Sequence, residues 1–221
     1  MRGNTLLRLD HVGVGLSGPL DRAPDFSDVA EEVGAAIDAA GFDDVILYSD
    51  SGGVHSALRF AAKYPQRVRK IVIVGGYVEG RALRRDEPDF LRGMVKENWS
   101  EEDTGFAQAF TFSYYPDGPA EEVMEFSRTT RTGLSPASVL LWRDAINHVN
   151  NAEILDQIEC PVLIVHGRKD GVHPLEQAQR LAAGIPNAQL LVLETANHLP
   201  FPGHPCWEIF ARELRAFLDD D

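Results

Sequence analysis

Residues 45–65, VILYSDSGGVHSALRFAAKYP, constrain the fold more than any other stretch of this chain. A β-branched and aliphatic run from Val45 to Tyr48 predicts a strand, and small residues interrupt it before a helical pattern begins. This order can lift one side chain above a sheet edge, where the N–H groups of the helix start face it. We expect the tight turn to require small residues at Ser49 and Gly53. The side chain at the apex is the predicted nucleophile.

Two residues compete for the apex of this turn. Ser51 as nucleophile predicts ester or amide hydrolysis, whereas Asp50 predicts dehalogenase or epoxide-hydrolase chemistry. The turn resembles the nucleophile elbow of the α/β-hydrolase family, in which the elbow helix runs into a YPERV-like segment. Here that segment is YPQRV, residues 64–68. The family's usual interval back from this segment implies Ser51, with Asp50 as the alternative nucleophile.

Strands and helices alternate along the rest of the chain. An amphipathic helix is predicted at 27–40, apolar strands at 71–74, 162–166 and 189–193, and a closing helix at 207–218. Continuous apolar strands are typical of parallel sheets buried on both faces. The fold class predicted is α/β, with a doubly wound, mostly parallel sheet. Right-handed crossovers are expected to put the elbow strand in the middle of that sheet.

A segment of different composition separates the first predicted strands and helices from the later ones. Residues 79–151 are rich in aromatic side chains and charges, and they lack the alternation of strands. We therefore predict a helical cap inserted at 79–151, with a hydrolase-like core formed by residues 1–78 and 152–221. Aromatic residues at helical spacing pack against each other more often than they contact a ligand.

Two polar residues follow predicted strands in the second half of the core. Asp170 lies in GRKDGVHP after one strand, and His198 lies in ETANHLP after the next. Both loops open on the same carboxyl edge of the sheet as the elbow. A serine needs a base that takes its proton, and the base needs an acid that fixes its tautomer. The sequence therefore predicts a catalytic triad of Ser51, Asp170 and His198. His, Cys and carboxylate residues show no metal-like spacing, so neither a metal nor another cofactor is expected.

The resemblance to the α/β-hydrolase family extends over essentially the whole chain, through DHVGVGLS, SDSGG, VHGRKD and ANHLPF. Ser49 and Asn197 replace glycines that are usual in the family. A narrower likeness, in GGYVEGRALRR, around residues 99–116 and in RLAAGIPNAQLLVLETANH, is to the hydrolase-type domains attached to some bacterial transcriptional regulators and adenylate cyclases. It implies that the domain serves as a ligand sensor or has been coupled to one.

The resemblance also implies a shortened N-terminus, because the chain begins at what would be the family's fourth strand, residues 6–9. The preceding strands and the loop that donates one oxyanion N–H would then be missing. The backbone N–H of Gly52 would be the remaining oxyanion donor. The strand at residues 6–9 would form an exposed apolar edge, through which we expect a homodimer.

Charge and hydropathy narrow the classes of partner. The net charge of −13 disfavours nucleic acid and anionic membranes, because phosphate binding needs clustered Lys and Arg. An apolar run long enough to span a bilayer is absent from the sequence, as is a signal-like leader, so a cytoplasmic protein is expected. Cys160 and Cys206 are predicted to be reduced thiols. The expected partner is a small-molecule substrate.

Two functions fit these patterns. The first is a serine hydrolase that cleaves a small ester, lactone or thioester through an acyl-enzyme. The second is a ligand-sensing, hydrolase-like domain with weak or absent turnover, because one oxyanion donor can be worth about 10²–10³ in rate.

Overall fold

The computed structural model describes residues 5–84, 93, 95, 98, 99 and 105–220. The strands are β1 (Val45–Asp50), β2 (Val68–Val74), β3 (Val162–Gly167) and β4 (Ala188–Leu193). The helices are α1 (Phe26–Ala39), α2 (Val54–Lys63), α3 (Arg81–Arg84), α4 (Gly105–Tyr114), α5 (Ala120–Gly133), α6 (Pro136–His148), α7 (Leu175–Gly184) and α8 (Cys206–Asp219). Short 3₁₀ turns occupy Ser51–Gly53, Pro65–Arg67 and Ala152–Gln157.

The four strands form one parallel sheet in the order β1-β2-β3-β4. Pairing aligns Tyr48 with Val72, and Ile73 with Ile164. The carboxyl ends of all four strands therefore meet at one edge, as expected of a doubly wound α/β sheet. The expectation that the elbow strand lies in the middle of the sheet is wrong. Within the described residues β1 pairs with β2 alone and is an edge strand.

The predicted strand at residues 6–9 is also absent from the described structure. Leu6, Leu7 and Leu9 are exposed, Leu6 by 79%, and this segment pairs with no other strand. A short apolar run that has no hydrogen-bonded neighbouring strand gains nothing from strand geometry. Within the described residues the edge strands of the sheet are β1 and β4, and on β1 Tyr48 is 55% exposed. The homodimer stays a prediction, now through β1, and a monomer at every concentration in sedimentation equilibrium would contradict it.

The core lies on both faces of the sheet, because successive side chains of a strand point to opposite sides. Ile71 and Ile73 of β2 belong to a cluster with α1, α2 and α7, whereas Val72 and Val74 pack with α8. All four side chains are at most 1% exposed. Burying each contributes about 1.5–3 kcal/mol. This two-sided burial explains why the central strands read as unbroken apolar runs.

Helices α3 to α6 occupy the segment between β2 and β3. The chain enters and leaves this segment side by side, because Glu79 and Asn150 form an antiparallel bridge and Asn151 N–H donates to the Val78 carbonyl. Residues 85–92, 94, 96, 97 and 100–104 of the predicted cap lie outside the described residues. The division into a core and a 79–151 cap domain stays a prediction.

Two further findings concern the described part of the chain. None of its helices combines the length and the apolar character needed to cross a lipid bilayer. Cys160 and Cys206 are both free thiols.

Candidate active site

The elbow presents Ser51 in a strained backbone conformation. Its φ is +45°, the one positive value among non-glycine residues in the described ranges. Such a conformation costs on the order of 1 kcal/mol or more and is typical of functional turns. The space beside the two glycines of the turn differs, and the closer contact is at Gly52. A Cβ on Gly53 would meet only the Ser49 Cβ, at 3.9 Å, whereas one on Gly52 would lie 3.0 Å from a methyl of Ile146.

The structure brings the three predicted residues together. The Ser51 Oγ lies 2.9 Å from Nε2 of His198, and Nδ1 of His198 lies 2.7 Å from Oδ2 of Asp170. The imidazole and the carboxylate are almost completely buried, with side-chain exposures of 1% and 0%. A carboxylate only accepts, so Nδ1 carries the imidazole proton and Nε2 is free to accept from the serine hydroxyl. This arrangement can remove the serine proton and hold the resulting imidazolium.

The loop after β3 holds the carboxylate. Oδ1 of Asp170 accepts hydrogen bonds from the backbone N–H groups of Val172, at 2.7 Å, and His173, at 3.2 Å. Oδ2 is left to face His198. Each carboxylate oxygen therefore has its own donors, which fixes the plane of the carboxylate relative to the imidazole.

Residues of the helical segment between β2 and β3 hold the imidazole in place, a role that the sequence did not predict. The Tyr114 carbonyl accepts the His198 backbone N–H at 2.8 Å, and the Tyr114 ring packs edge-on to the imidazole with centroids 5.5 Å apart. Asp117 accepts the Thr195 hydroxyl at 3.0 Å and the Ala196 N–H at 2.7 Å. The Ala196 bond is the main reason that the pKa of Asp117 lies below its usual range. Both residues lie some 80 positions before the loop, so no local pattern signals their role.

Asp50, the alternative nucleophile, is placed differently. It ends β1 in an extended conformation and is exposed. Its carboxylate accepts no hydrogen bond from the imidazole, whose two nitrogens are hydrogen-bonded to Ser51 and Asp170 in the described residues. The geometry favours Ser51 over Asp50 as the group that a base can activate.

Two other imidazoles near the elbow are held as buried packing groups. Burial lowers the pKa of His55 to about 3, so this ring is neutral. Its Nδ1 lies 2.9 Å from the Asn151 side-chain amide, and it packs edge-on against Tyr77. The His173 ring stacks on the Tyr77 ring, with centroids 3.7 Å apart. In the described part of the chain, no three His, Cys, Asp or Glu side chains are grouped as metal ligands would be.

Gly75 gives a prediction about the packing of the imidazole. It follows β2 with a φ of +62°, and a Cβ there would lie 2.8 Å from both Cε1 and the carbonyl oxygen of His198. We expect Gly75→Ala to lower the free energy of unfolding by about 1–3 kcal/mol. The displaced imidazole should lower kcat about 10²-fold. Urea unfolding and ester hydrolysis measure the two effects.

Gly18→Ala is the matched control, because a Cβ at Gly18 meets nothing within 4 Å and its φ is not in the left-handed region. If both alanine variants kept the activity of the parent protein, the close contact between Gly75 and the imidazole would be contradicted.

Comparisons with known proteins identify the protein family to which the chain belongs. The sequence pattern of the family described as the alpha/beta hydrolase fold matches residues 2–205. The chain therefore belongs to the α/β-hydrolase fold family. The likeness to regulator-associated domains stays a prediction.

Similar sequences and structures are hydrolases of several kinds. A 2-hydroxy-6-oxononadienedioate/2-hydroxy-6-oxononatrienedioate hydrolase from Cupriavidus pinatubonensis is 29% identical, over 89% of this chain and 70% of its own length. A pimeloyl-(acyl-carrier protein) methyl ester esterase from Neisseria meningitidis serogroup B is 28% identical, over 91% and 78%. An esterase from Exiguobacterium antarcticum superimposes with a TM-score of 0.78 at 19% identity, covering 96% and 80%. An enol-lactonase from Burkholderia xenovorans LB400 gives 0.78 at 16%, covering 95% and 78%. These two structures support the fold alone.

Proposed function

We propose that this protein is a serine hydrolase that cleaves a small ester, lactone or thioester through an acyl-enzyme on Ser51. The observation that carries the proposal is the continuous line of contacts from the Ser51 hydroxyl through the His198 imidazole to the buried Asp170 carboxylate. Two relatives, named as a 2-hydroxy-6-oxononadienedioate/2-hydroxy-6-oxononatrienedioate hydrolase and as a methyl ester esterase, support hydrolysis of a carbonyl substrate.

The reaction proceeds in two halves. Nε2 of His198 takes the hydroxyl proton while the Ser51 Oγ attacks the carbonyl carbon of the substrate, and the buried Asp170 stabilises the imidazolium. The imidazolium then gives this proton to the leaving alcohol or thiol, and the acyl group stays on the serine. In the second half a water molecule attacks the acyl carbon, its proton passes to the imidazole, and the serine is released with its own proton restored.

Gly52 is the proposed donor for the oxyanion. It directly follows the nucleophile within the Ser51–Gly53 turn that leads into α2, so its N–H belongs to the unpaired amides of a helix start. An N–H aimed at the developing negative charge is worth about 10²–10³ in rate. Ile146 and the Tyr77 hydroxyl pack where a side chain of this residue would be, the hydroxyl 3.7 Å from the Cβ position.

A panel of nitrophenyl esters, lactones and acyl thioesters tests the proposal. We expect saturable hydrolysis of at least one class and a burst of nitrophenol equal to the enzyme concentration when deacylation is slow. Saturable binding of the panel without release of product would contradict the proposal and favour the ligand-sensing alternative. The burst distinguishes an acyl-enzyme from direct attack by water.

A further inference from the structure

His166, near the end of β3, is buried beside the triad but has no part in the proposed reaction. Its side chain is 0% exposed, and its Nε2 lies 3.0 Å from the His173 carbonyl oxygen and 3.4 Å from Oδ2 of Asp170. Both facing groups are acceptors, so Nε2 must carry the ring proton. The imidazole donates a hydrogen bond to the His173 carbonyl, and its N–H dipole points into the space beside the carboxylate.

The ring stays neutral, and one of its nitrogens is left without a partner. Burial lowers the pKa of His166, against the opposing effects of the His173 hydrogen bond and the Asp170 charge. The unprotonated Nδ1 has no hydrogen-bond partner among the described residues. A buried acceptor without a partner destabilises the folded state, a cost that an aliphatic side chain would not incur. Such a group in a native protein calls for an explanation.

The explanation lies in the loop that carries the carboxylate. The His173 residue is held at both ends, because its N–H donates to Oδ1 of Asp170 while its carbonyl accepts from His166. The imidazole thus ties the end of β3 to the turn that orients the carboxylate. The His173 ring also stacks on Tyr77, but the hydrogen bond from His166 holds the backbone of this residue, whose N–H is one of the two backbone donors to Oδ1.

We propose that His166 is a positioning residue that keeps Oδ2 of Asp170 aligned with Nδ1 of His198. It acts through the His173 carbonyl and through its own N–H beside Oδ2, and it does not touch the substrate. The inference deepens the proposed function and rests on it for its kinetic consequence. The alignment itself is a property of the resting protein.

Three variants at this position test the inference. His166→Gln can put an amide N–H where Nε2 lies, His166→Asn is too short to do so, and His166→Leu has no donor. We expect Leu and Asn to lower kcat about tenfold per titrated active site, with KM changed less than twofold. Poorer alignment weakens the stabilisation of the imidazolium by the Asp170 carboxylate, so the acid limb of the kcat/KM profile should move to lower pH. Gln should restore both values.

The titratable groups that face the ring are Asp170, His173 and His198, and the profiles of all variants are compared over the same pH range. Parent kinetics with Leu and Asn would overturn the inference, as would equal losses in all three variants with an unmoved acid limb. If Leu fails to fold, the comparison of Asn with Gln decides in the same way.

Proton NMR of the resting protein separates this inference from the proposed function. The hydrogen-bonded Nδ1 proton of His198 should give a downfield resonance in the parent and in His166→Gln, and a broadened or missing one in His166→Leu. If the parent showed no hydrolase activity, the proposed function would fail, and the resonance would still decide the positioning role. An unchanged resonance in His166→Leu would overturn it.

Discussion

Ser51→Ala is expected to lower kcat for ester hydrolysis at least about 10⁴-fold, because the acyl-enzyme needs the hydroxyl oxygen. The free energy of unfolding should change by no more than about 1–2 kcal/mol, because alanine and serine adopt the φ of +45° at similar cost and only the hydrogen bond to His198 is lost. The residual rate reports binding and oxyanion contacts without a nucleophile. Steady-state hydrolysis and urea unfolding measure the two quantities.

Two neighbours on the same strand end serve as controls. Ser49→Ala removes a buried hydroxyl that bonds the Val72 carbonyl at 3.4 Å and should leave kcat within about threefold of the parent value. Asp50→Asn should leave most of the activity, because Asp50 does not contact the imidazole. Loss of activity in Asp50→Asn with its retention in Ser51→Ala would move the nucleophile to Asp50 and contradict the assignment.

Asp170→Asn should be almost as damaging, with an expected loss of about 10⁴-fold in kcat. The backbone N–H groups of Val172 and His173 hold Oδ1, so the amide oxygen of the asparagine takes that position and its NH₂ faces Nδ1 of His198. Nδ1 must then accept a hydrogen bond, so the ring proton moves to Nε2. A protonated Nε2 faces the serine hydroxyl as a donor and cannot take its proton. KM should change little.

Asp156→Asn, on the exposed 3₁₀ turn Ala152–Gln157, is the matched control and should leave kcat unchanged. Circular dichroism should show the same fold for both variants. If Asp170→Asn retained a tenth or more of the parent kcat, Asp170 would not be the acid that orients the imidazole.

The grouping of the three site residues could be predicted from the sequence, because each of them lies after the carboxyl end of a strand. Parallel strands bring their carboxyl ends to one edge, so residues in the loops that follow the strands near 45–50, 162–167 and 188–193 are expected at that edge. For this reason the sequence alone is enough to group Ser51, Asp170 and His198. The family membership, which the resemblance implied, and the parallel sheet, which the apolar strands predicted, are confirmed.

The two wrong predictions, a strand at residues 6–9 and a central position for β1, both concern which strands pair, and a local sequence pattern does not determine strand pairing. Residues 6–9 are apolar, but a strand forms only beside a hydrogen-bonding partner, and the described structure offers them none. The edge position of β1 follows from that missing pair. Tyr114 and Asp117 were overlooked for a related reason, since their contacts join an inserted helical segment to a distant loop. The spacing of residues along the sequence does not predict such contacts.

Covalent labelling tests the central claim most directly. The parent protein is incubated with a fluorophosphonate, its intact mass is measured, and the modified peptide is identified by fragmentation. We expect one phosphonyl group per chain, attached to Ser51, formed slowly in Asp170→Asn and not at all in Ser51→Ala. A parent protein that stays unmodified while hydrolysing esters, or one that carries the adduct on a residue other than Ser51, would contradict the account.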